Sequence, residues 1–204
     1  EACIQAFHVI DGALKEITAS LNLLKLYPSR IPAGVLEGLP LEMYKAVRDV
    51  GEPTLTPMAT VAGAVSDTVA DHLKAIGATK VVVNNGGDIA LRLDPGEEVR
   101  VGIMSSLAEG KIDNVVNIRA ADGIGGIATS GLGGRSFTRG VAQGVSAFAS
   151  RCILADALAT HLANSSYIVS ERVLTTKAGA LDPLSDISDL EVVVGVDRLT
   201  DREV

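Results

Sequence analysis

Apolar side chains recur along residues 1–26 at Cys3, Ile4, Phe7, Ile10, Leu14 and Ile17 with polar residues between them. Steps of three and four line one face of a helix. Pro28, Pro32 and Pro40, with Gly34 and Gly38, then predict a loop, and residues 41–50 (L-E-M-Y-K-A-V-R-D-V) a short amphipathic helix. Gly51-Glu52-Pro53 breaks that pattern. Pro57 suits a first helical turn, where its missing N–H has no partner to lose, so residues 58–76 read as an Ala-rich, closely packed helix capped by Gly77. From Lys80 the period changes. Val81-Val82-Val83 reads as a buried strand, Gly86-Gly87 as a turn and 89–93 as a second strand. Further strands are predicted at 99–104, 115–121, 124–128, 141–149 and 190–196, with a return to helix over 153–162. Helices come early and strands run together in the middle, which predicts an α+β fold, a mostly antiparallel sheet packed with helices, rather than βαβ units. The 204 residues are expected to form a single domain, with 1–53 its helical N-terminal part and 54–204 its core.

Composition narrows the partners. Hydrophobic residues make up 47% of the chain but aromatics only 3%, with no Trp, so the core must be aliphatic. The 25 acidic and 18 basic side chains leave a formal charge of −7, without the basic face or stacking rings that nucleic acid needs. A mean hydropathy of +0.31 raises the question of a membrane. No run approaches the ~20 uninterrupted apolar residues of a spanning helix, and no membrane partner is expected. Cys3 and Cys152 lie far apart and form no C-x-x-C pair, which fits a reducing compartment, and the expected location is cytoplasmic.

Candidate chemistry begins with the glycine-rich run 123–134 (G-I-G-G-I-A-T-S-G-L-G-G). It lacks the Lys of a P-loop, and the Thr-Ser-Gly-Leu-Gly-Gly that follows its nominal G-x-G-x-x-A cannot open a dinucleotide-binding helix. It reads either as a hairpin turn with a loop or as an anion site, and Arg135 and Arg139 just beyond it favour the latter. Asn84-Asn85-Gly86-Gly87-Asp88 at a strand end reads as a tight turn or as a ligand-positioning corner. Asp156 and Thr160, four apart on a predicted helix, place two hard oxygen donors on one face, as Mg²⁺ prefers; the plain alternative is a helix-dipole Asp and a back-bonded Thr. His8, His72 and His161 show no metal-ligand spacing, and Asp67 and Asp71 read as a solvated helix face. No G-x-S-x-G elbow is present, and hydrolase triads gain no support.

Four of these segments occur in an order that resembles the ApbE family of FAD-binding, Mg²⁺-dependent FAD:protein FMN transferases, and more closely an ApbE-like prokaryotic branch of about this size. They are 57–64 (P-M-A-T-V-A-G-A), 83–89 (V-N-N-G-G-D-I), 128–131 (A-T-S-G) and 155–160 (A-D-A-L-A-T), about half of the chain. The resemblance implies an ApbE-like α+β fold and a site for FAD and Mg²⁺. Asp156, Thr160 and the carbonyl of Ala62 (with Ala59 as an alternative) would hold the metal. Asn85, Gly86, Gly87, Asp88, Thr129, Ser130 and Gly131 would line the flavin, with Arg135 beside them. It also implies a small anionic nucleotide or flavin as ligand and a protein as acceptor.

Two stretches depart from the family. Where its transferases carry H-x-x-D-P-x-T-G after the T-S-G, this chain reads L-G-G-R-S-F-T-R-G, without the catalytic His, and the Lys-Gly expected near the Ala-rich segment reads Ala62-Gly63. The leading reading is an ApbE-like flavin- or nucleotide-binding protein using Mg²⁺, with the transferase activity itself in question. A second is an active transferase that uses Arg135 or Ser136 in place of the His. A third is a non-catalytic assembly protein whose glycine loop is structural.

Overall fold

The computed structural model describes residues 2–104, 112 and 114–200. In chain order its elements are α1 (Ala2–Ala19), α2 (Leu21–Leu24), α3 (Gly38–Val50), α4 (Val61–Ala75), β1 (Lys80–Asn85), β2 (Asp88–Leu93), β3 (Glu98–Ile103), β4 (Asn114–Arg119), β5 (Gly126–Ser130), β6 (Val145–Ala149), α5 (Cys152–Ser165), β7 (Val173–Lys177), α6 (Ala178–Leu181) and β8 (Glu191–Val196). Strands β1-β2-β5-β6 form the central sheet, and β3–β4 and β7–β8 form separate two-stranded ribbons. Every pairing is antiparallel, the α+β arrangement that the hydrophobic pattern predicts.

The sheet sorts its side chains by size. Ala128 and Ala147 point to one face, where they meet Ala155 and Ala159 of α5, and Ala90 meets Ala70 of α4 and Cys152 on the same side. Leu91 and Ile127 point to the other face and pack under Val101 and Ile118 of the β3–β4 ribbon. Small residues on the helical side let α5 lie close to the strands. Glycines take this further at the start of α5. A Cβ on Gly126 would sit 2.1 Å from the amide nitrogen of Cys152, and one on Gly63 of α4 would sit 2.6 Å from its carbonyl oxygen. A third cluster joins Leu24, Met43 and Val47 of the N-terminal helices to Ala64, Ile153 and Ala157.

Helix α5 starts without a capping side chain of its own. Its first two amides are satisfied by Asp67 of α4: Cys152 N–H donates to Oδ1 at 3.2 Å and Ile153 N–H to Oδ2 at 2.9 Å. The same carboxylate, with its side chain only 1% exposed, accepts from Arg92 at 2.8 Å and lies 3.5 Å from Arg151. Asp67 is therefore no part of a solvated face, contrary to the helical-wheel reading. Only Asp71, one turn on, is exposed, and it too is paired to Arg92.

Other boundaries differ from the sequence pattern for local reasons. The helix predicted over 1–26 divides at Ser20, where Thr18 Oγ1 bonds back to the Leu14 carbonyl at 2.8 Å, a contact that bends helices. On α1 only Ala13 and Ile17 are buried; Ile4, Phe7 and Leu14 are exposed. The helix predicted from 58 begins as a 3-10 turn, Pro57–Thr60, and becomes α-helical at Val61. Strand β4 stops at Arg119 because Asp122 Oδ2 takes the Arg119 amide at 2.7 Å and opens a 3-10 turn. The strand predicted at 124–128 moves two residues on, and the one predicted at 141–149 shortens to β6. Strand β7 has no counterpart in the sequence pattern, since its short V-L-T-T-K run leaves no residue fully buried.

Replacing Asp67 by Ala leaves two helix amides and the Arg92 guanidinium without their partner. Breaking a buried pair of this kind costs about 3–5 kcal/mol. Urea unfolding at neutral pH should show that loss in Asp67→Ala; a loss below about 1 kcal/mol would remove Asp67 from the account of how α5 is held.

Candidate functional site

One face of α5 carries Asp156, Thr160 and Asn164 at successive turns, and all three line a cavity of about 710 Å³. The β1–β2 hairpin contributes Asn85 and Asp88, the end of β5 Thr129 and Ser130, and the start of α4 Ala62. Arg135, Ser136 and Arg139 come from the chain that follows β5. Eight residues singled out from sequence thus line one cavity: Ala62, Asn85, Asp88, Thr129, Ser130, Arg135, Asp156 and Thr160. Ala59 lines it as well, but the Ala62 carbonyl is the one reached by the Asn85 amide, at 3.4 Å.

The predicted glycines do not line the cavity. Gly86 and Gly87 form the two-residue turn between β1 and β2, with φ of +69° and +118°, which side chains rarely tolerate. Asn84 Oδ1 closes that turn by accepting the Gly87 amide at 3.0 Å. Gly131 has φ +147°, and a Cβ there would lie 2.8 Å from the Gln143 carbonyl oxygen. With Gly125 and Gly126 pressed against Ser150 and Cys152, much of the glycine-rich run serves close packing. It does not fold shut over the space between the hairpin and α5, which stays open.

Asp88 and Asp156 dominate the electrostatics. Asp156 Oδ2 accepts the Gly63 amide at 2.9 Å. Burial, and then the charge of Asp88, push the Asp156 carboxyl well above the ordinary range despite that bond. Burial pushes Asp88 up to about 6, opposed only by a backbone amide from Thr129. Among the described residues no cationic side chain is hydrogen-bonded to either carboxyl. A buried acid beside a half-buried one, with so little compensation, is what a divalent cation relieves. Carboxylate, hydroxyl and carbonyl oxygens at Asp156, Thr160 and Ala62 are donors of the type Mg²⁺ takes. Among the described residues no group of three or more His, Cys, Asp or Glu could hold a metal, so such a site would depend on Thr160 and backbone oxygen. Cys152 is buried beside Asp67, Asp88 and Asp156, which pushes its thiol up and leaves it unreactive.

The far wall was not legible in sequence. Segment 182–190 supplies Asp182, Leu184, Asp186 and Leu190, and side chains of Lys25, Tyr27 and Thr56 hold it. Lys25 Nζ donates to the Leu184 carbonyl at 2.7 Å, Tyr27 Oη to Asp189 at 3.3 Å, and Thr56 Oγ1 to Asp186. Asn164 could have been found by continuing the Asp156, Thr160 spacing one turn further. Of the histidines, His8 is exposed, and His161 Nδ1 lies 3.3 Å from Glu52 Oε2.

The family model described as AbpE bacteria matches residues 1–204. The chain belongs to this ApbE-like family. It is 32% identical over 197 residues to a UPF0280 protein of Methanoregula boonei, covering 91% of this chain and 79% of that one. A UPF0280 protein of Methanosphaera stadtmanae is 31% identical over 152 residues, which are 74% of this chain and 59% of the relative. One of Methanothermobacter thermautotrophicus is 36% identical over 136 residues, so the chain spans about half (51%) of that relative's length. Among solved structures, the Flavin Transferase ApbE from Vibrio cholerae aligns with 76% of this chain and 63% of its own, at 19% identity and a TM-score of 0.34. A mutant of it aligns with 76% and 61%, at 21% and 0.36. Among the described residues no helix is long and apolar enough to cross a membrane.

Asp88 gives a pH test. Its folded pKa of about 6 lies above the ordinary 3.8, so its ionisation opposes folding as pH rises between these values. In EDTA, Asp88→Asn should match the parent at pH 4 and exceed it at pH 8 by on the order of 2–3 kcal/mol. Thermal or urea unfolding across that range checks it, and a difference that does not change with pH would contradict it.

Proposed function

We propose that the protein binds a flavin nucleotide, FAD or FMN, in this cavity together with Mg²⁺. The observation that carries the reading is the pair of raised carboxyls, half-buried Asp88 and buried Asp156, in the cavity that Thr160, Ala62, Asn85, Thr129 and Ser130 also line. Family membership supports it. When bound, Mg²⁺ would neutralise phosphate charge and polarise a phosphoryl oxygen. Asp156 would hold that ion, oriented by the Gly63 amide, with Thr160 and Ala62 completing the protein's share. Asn85 would steady the Ala62 carbonyl, and the Thr129 amide would keep the Asp88 carboxyl turned to the site. Thr129 and Ser146 hydroxyls bond at 2.7 Å, fixing the strand end beside the ligand. The chain has few aromatic rings, so backbone and aliphatic contacts from Met58, Ala59 and Val61 would carry more of the flavin than stacking.

A second reading, transfer of FMN to a protein acceptor, is favoured by Arg135 and Ser136 standing on the cavity wall at the place in sequence where transferases of the family carry their His. Cytoplasmic location belongs to the same proposal.

Calorimetric titration with FAD, FMN and ADP, each with and without Mg²⁺, tests the leading reading. Binding of at least one flavin that strengthens tenfold or more with Mg²⁺, and loses that gain in Asp156→Ala, is expected. Flat heats for all three would end it. Incubation with FAD, Mg²⁺ and threonine-bearing peptides tests the second: a flavinylated mass is its expected product, and no adduct with any acceptor would count against it.

A further inference from the structure

The cavity has a second charged wall that the metal reading does not use. Arg139 faces it and among the described residues pairs with no carboxylate, while the Arg135 guanidinium lies toward the β1–β2 turn, 3.5 Å from where a Cβ on Gly86 would stand. By contrast Arg48, Arg92, Arg119 and Arg151 are each matched to an acid. The acids that could have answered Arg139 are engaged otherwise. Asp186 takes the Thr56 hydroxyl, Asp182 takes the Leu184 amide at 2.9 Å, and Asp156 the Gly63 amide. In a chain of net charge −7, a cavity-lining guanidinium without an acid partner is a direct cationic seat.

Arg139 is fixed at both ends. Its amide donates to Asn164 Oδ1 at 2.9 Å, and the carbonyl of Thr138 before it accepts the Val193 amide at 2.8 Å. At the other end Nη1 donates to Thr54 Oγ1 at 2.7 Å. The Thr54 hydroxyl gives its own proton to Glu52 Oε1 at 2.6 Å, which leaves its lone pairs for the arginine. Burial works against the Glu52 charge, but the Thr54 hydroxyl, the Thr54 amide and His161 outweigh it and hold the carboxyl below its ordinary range. One guanidinium nitrogen is thus used for positioning. The other donors of the five-donor fork find no partner among the described residues. Asn164 lies two turns beyond Asp156, ~12 Å along the helix axis, so this wall is distinct from the carboxyl pair.

We propose that Arg139 seats a phosphoryl group of the ligand directly, with no metal between them. With Nη1 spent on Thr54, the rest of its planar fork still offers donors to two oxygens of a phosphomonoester at once. The Glu52–Thr54 relay holds the fork open for it. The inference rests on the reading of this cavity as a nucleotide site and adds that the ligand is held at two poles, one through a cation at Asp156 and one through arginine.

The test compares FMN, riboflavin and inorganic pyrophosphate, all in EDTA, on the full chain and on Arg139→Gln and Thr54→Val. FMN should bind at least tenfold tighter than riboflavin, and Arg139→Gln should bring FMN down to the riboflavin level while leaving riboflavin unchanged. Thr54→Val, which frees the arginine, should fall between. Equal binding of FMN and riboflavin by the parent, or an FMN preference that survives Arg139→Gln, would overturn the proposal and leave the flavin reading standing. If neither flavin binds, pyrophosphate decides: binding lost in Arg139→Gln keeps the anion seat and ends the flavin reading, and no binding ends both. Melting temperatures report folding. Should Arg139→Gln unfold, Arg139→Lys reads the same preference, since it keeps the charge but loses the fork, and an undiminished preference there would overturn the two-donor geometry.

Discussion

Helix α5 begins with no cap of its own, and the carboxylate that satisfies its first two amides comes from Asp67 on α4. Most of the site depends on this clasp. Asp156 is one turn further along α5, Thr160 two turns and Asn164 three, so a shift of the helix start would carry all three off the cavity wall. The clasp forms only because α4 and α5 approach closely. Gly63 allows that approach at the Cys152 carbonyl, and its amide is also the donor that orients Asp156. Gly126 admits the same turn of α5 from the sheet side. One backbone contact thus sets both the packing of the helix pair and the position of the proposed metal ligand.

The fold puts charge where the composition leaves room for it. Small aliphatic side chains hold α5 against the sheet, so no large side chain fills the space between its outer face and the β1–β2 hairpin. Into that space the chain turns the acids Asp88 and Asp156 at one pole and Arg139, without an acid partner, at the other. An acidic chain that takes up a polyanion needs such an arrangement: a cation to bridge its carboxylates to phosphate, and a direct cationic seat.

Much of the architecture is written in short-range signals. Paired positive-φ glycines announce the hairpin, the Ala-rich segments announce helices that lie close, and the four-residue spacing of Asp156 and Thr160 places them on one face. The order of the four segments along the chain is what brought Asn85, Asp88, Thr129 and Ser130 into the expected site. What sequence periodicity could not show is long-range. Asp67 sits at a polar position of an amphipathic helix and reads as solvated, yet Arg92 and the α5 amides lie against it. The glycine-rich run reads as a hairpin turn with a loop or as an anion site, and nothing local in it shows that Gly125, Gly126 and Gly131 answer to backbone atoms of Ser150, Cys152 and Gln143. The wall formed by 182–190 depends on bonds from Lys25, Tyr27 and Thr56, more than a hundred residues earlier, which no local pattern encodes.

The claim at the centre of this account is that Asp156, with Thr160 and the Ala62 carbonyl, holds a divalent cation beside Asp88. Titration of the metal-stripped protein with Mn²⁺ near pH 7, followed both by the Mn²⁺ paramagnetic signal and by calorimetry in two buffers of different ionisation heat, tests it without any flavin. The account predicts one ion per chain, release of protons as the raised carboxyls ionise, and loss of both signals in Asp156→Asn. No binding at millimolar Mn²⁺, or binding without proton release that Asp156→Asn leaves unchanged, would contradict it.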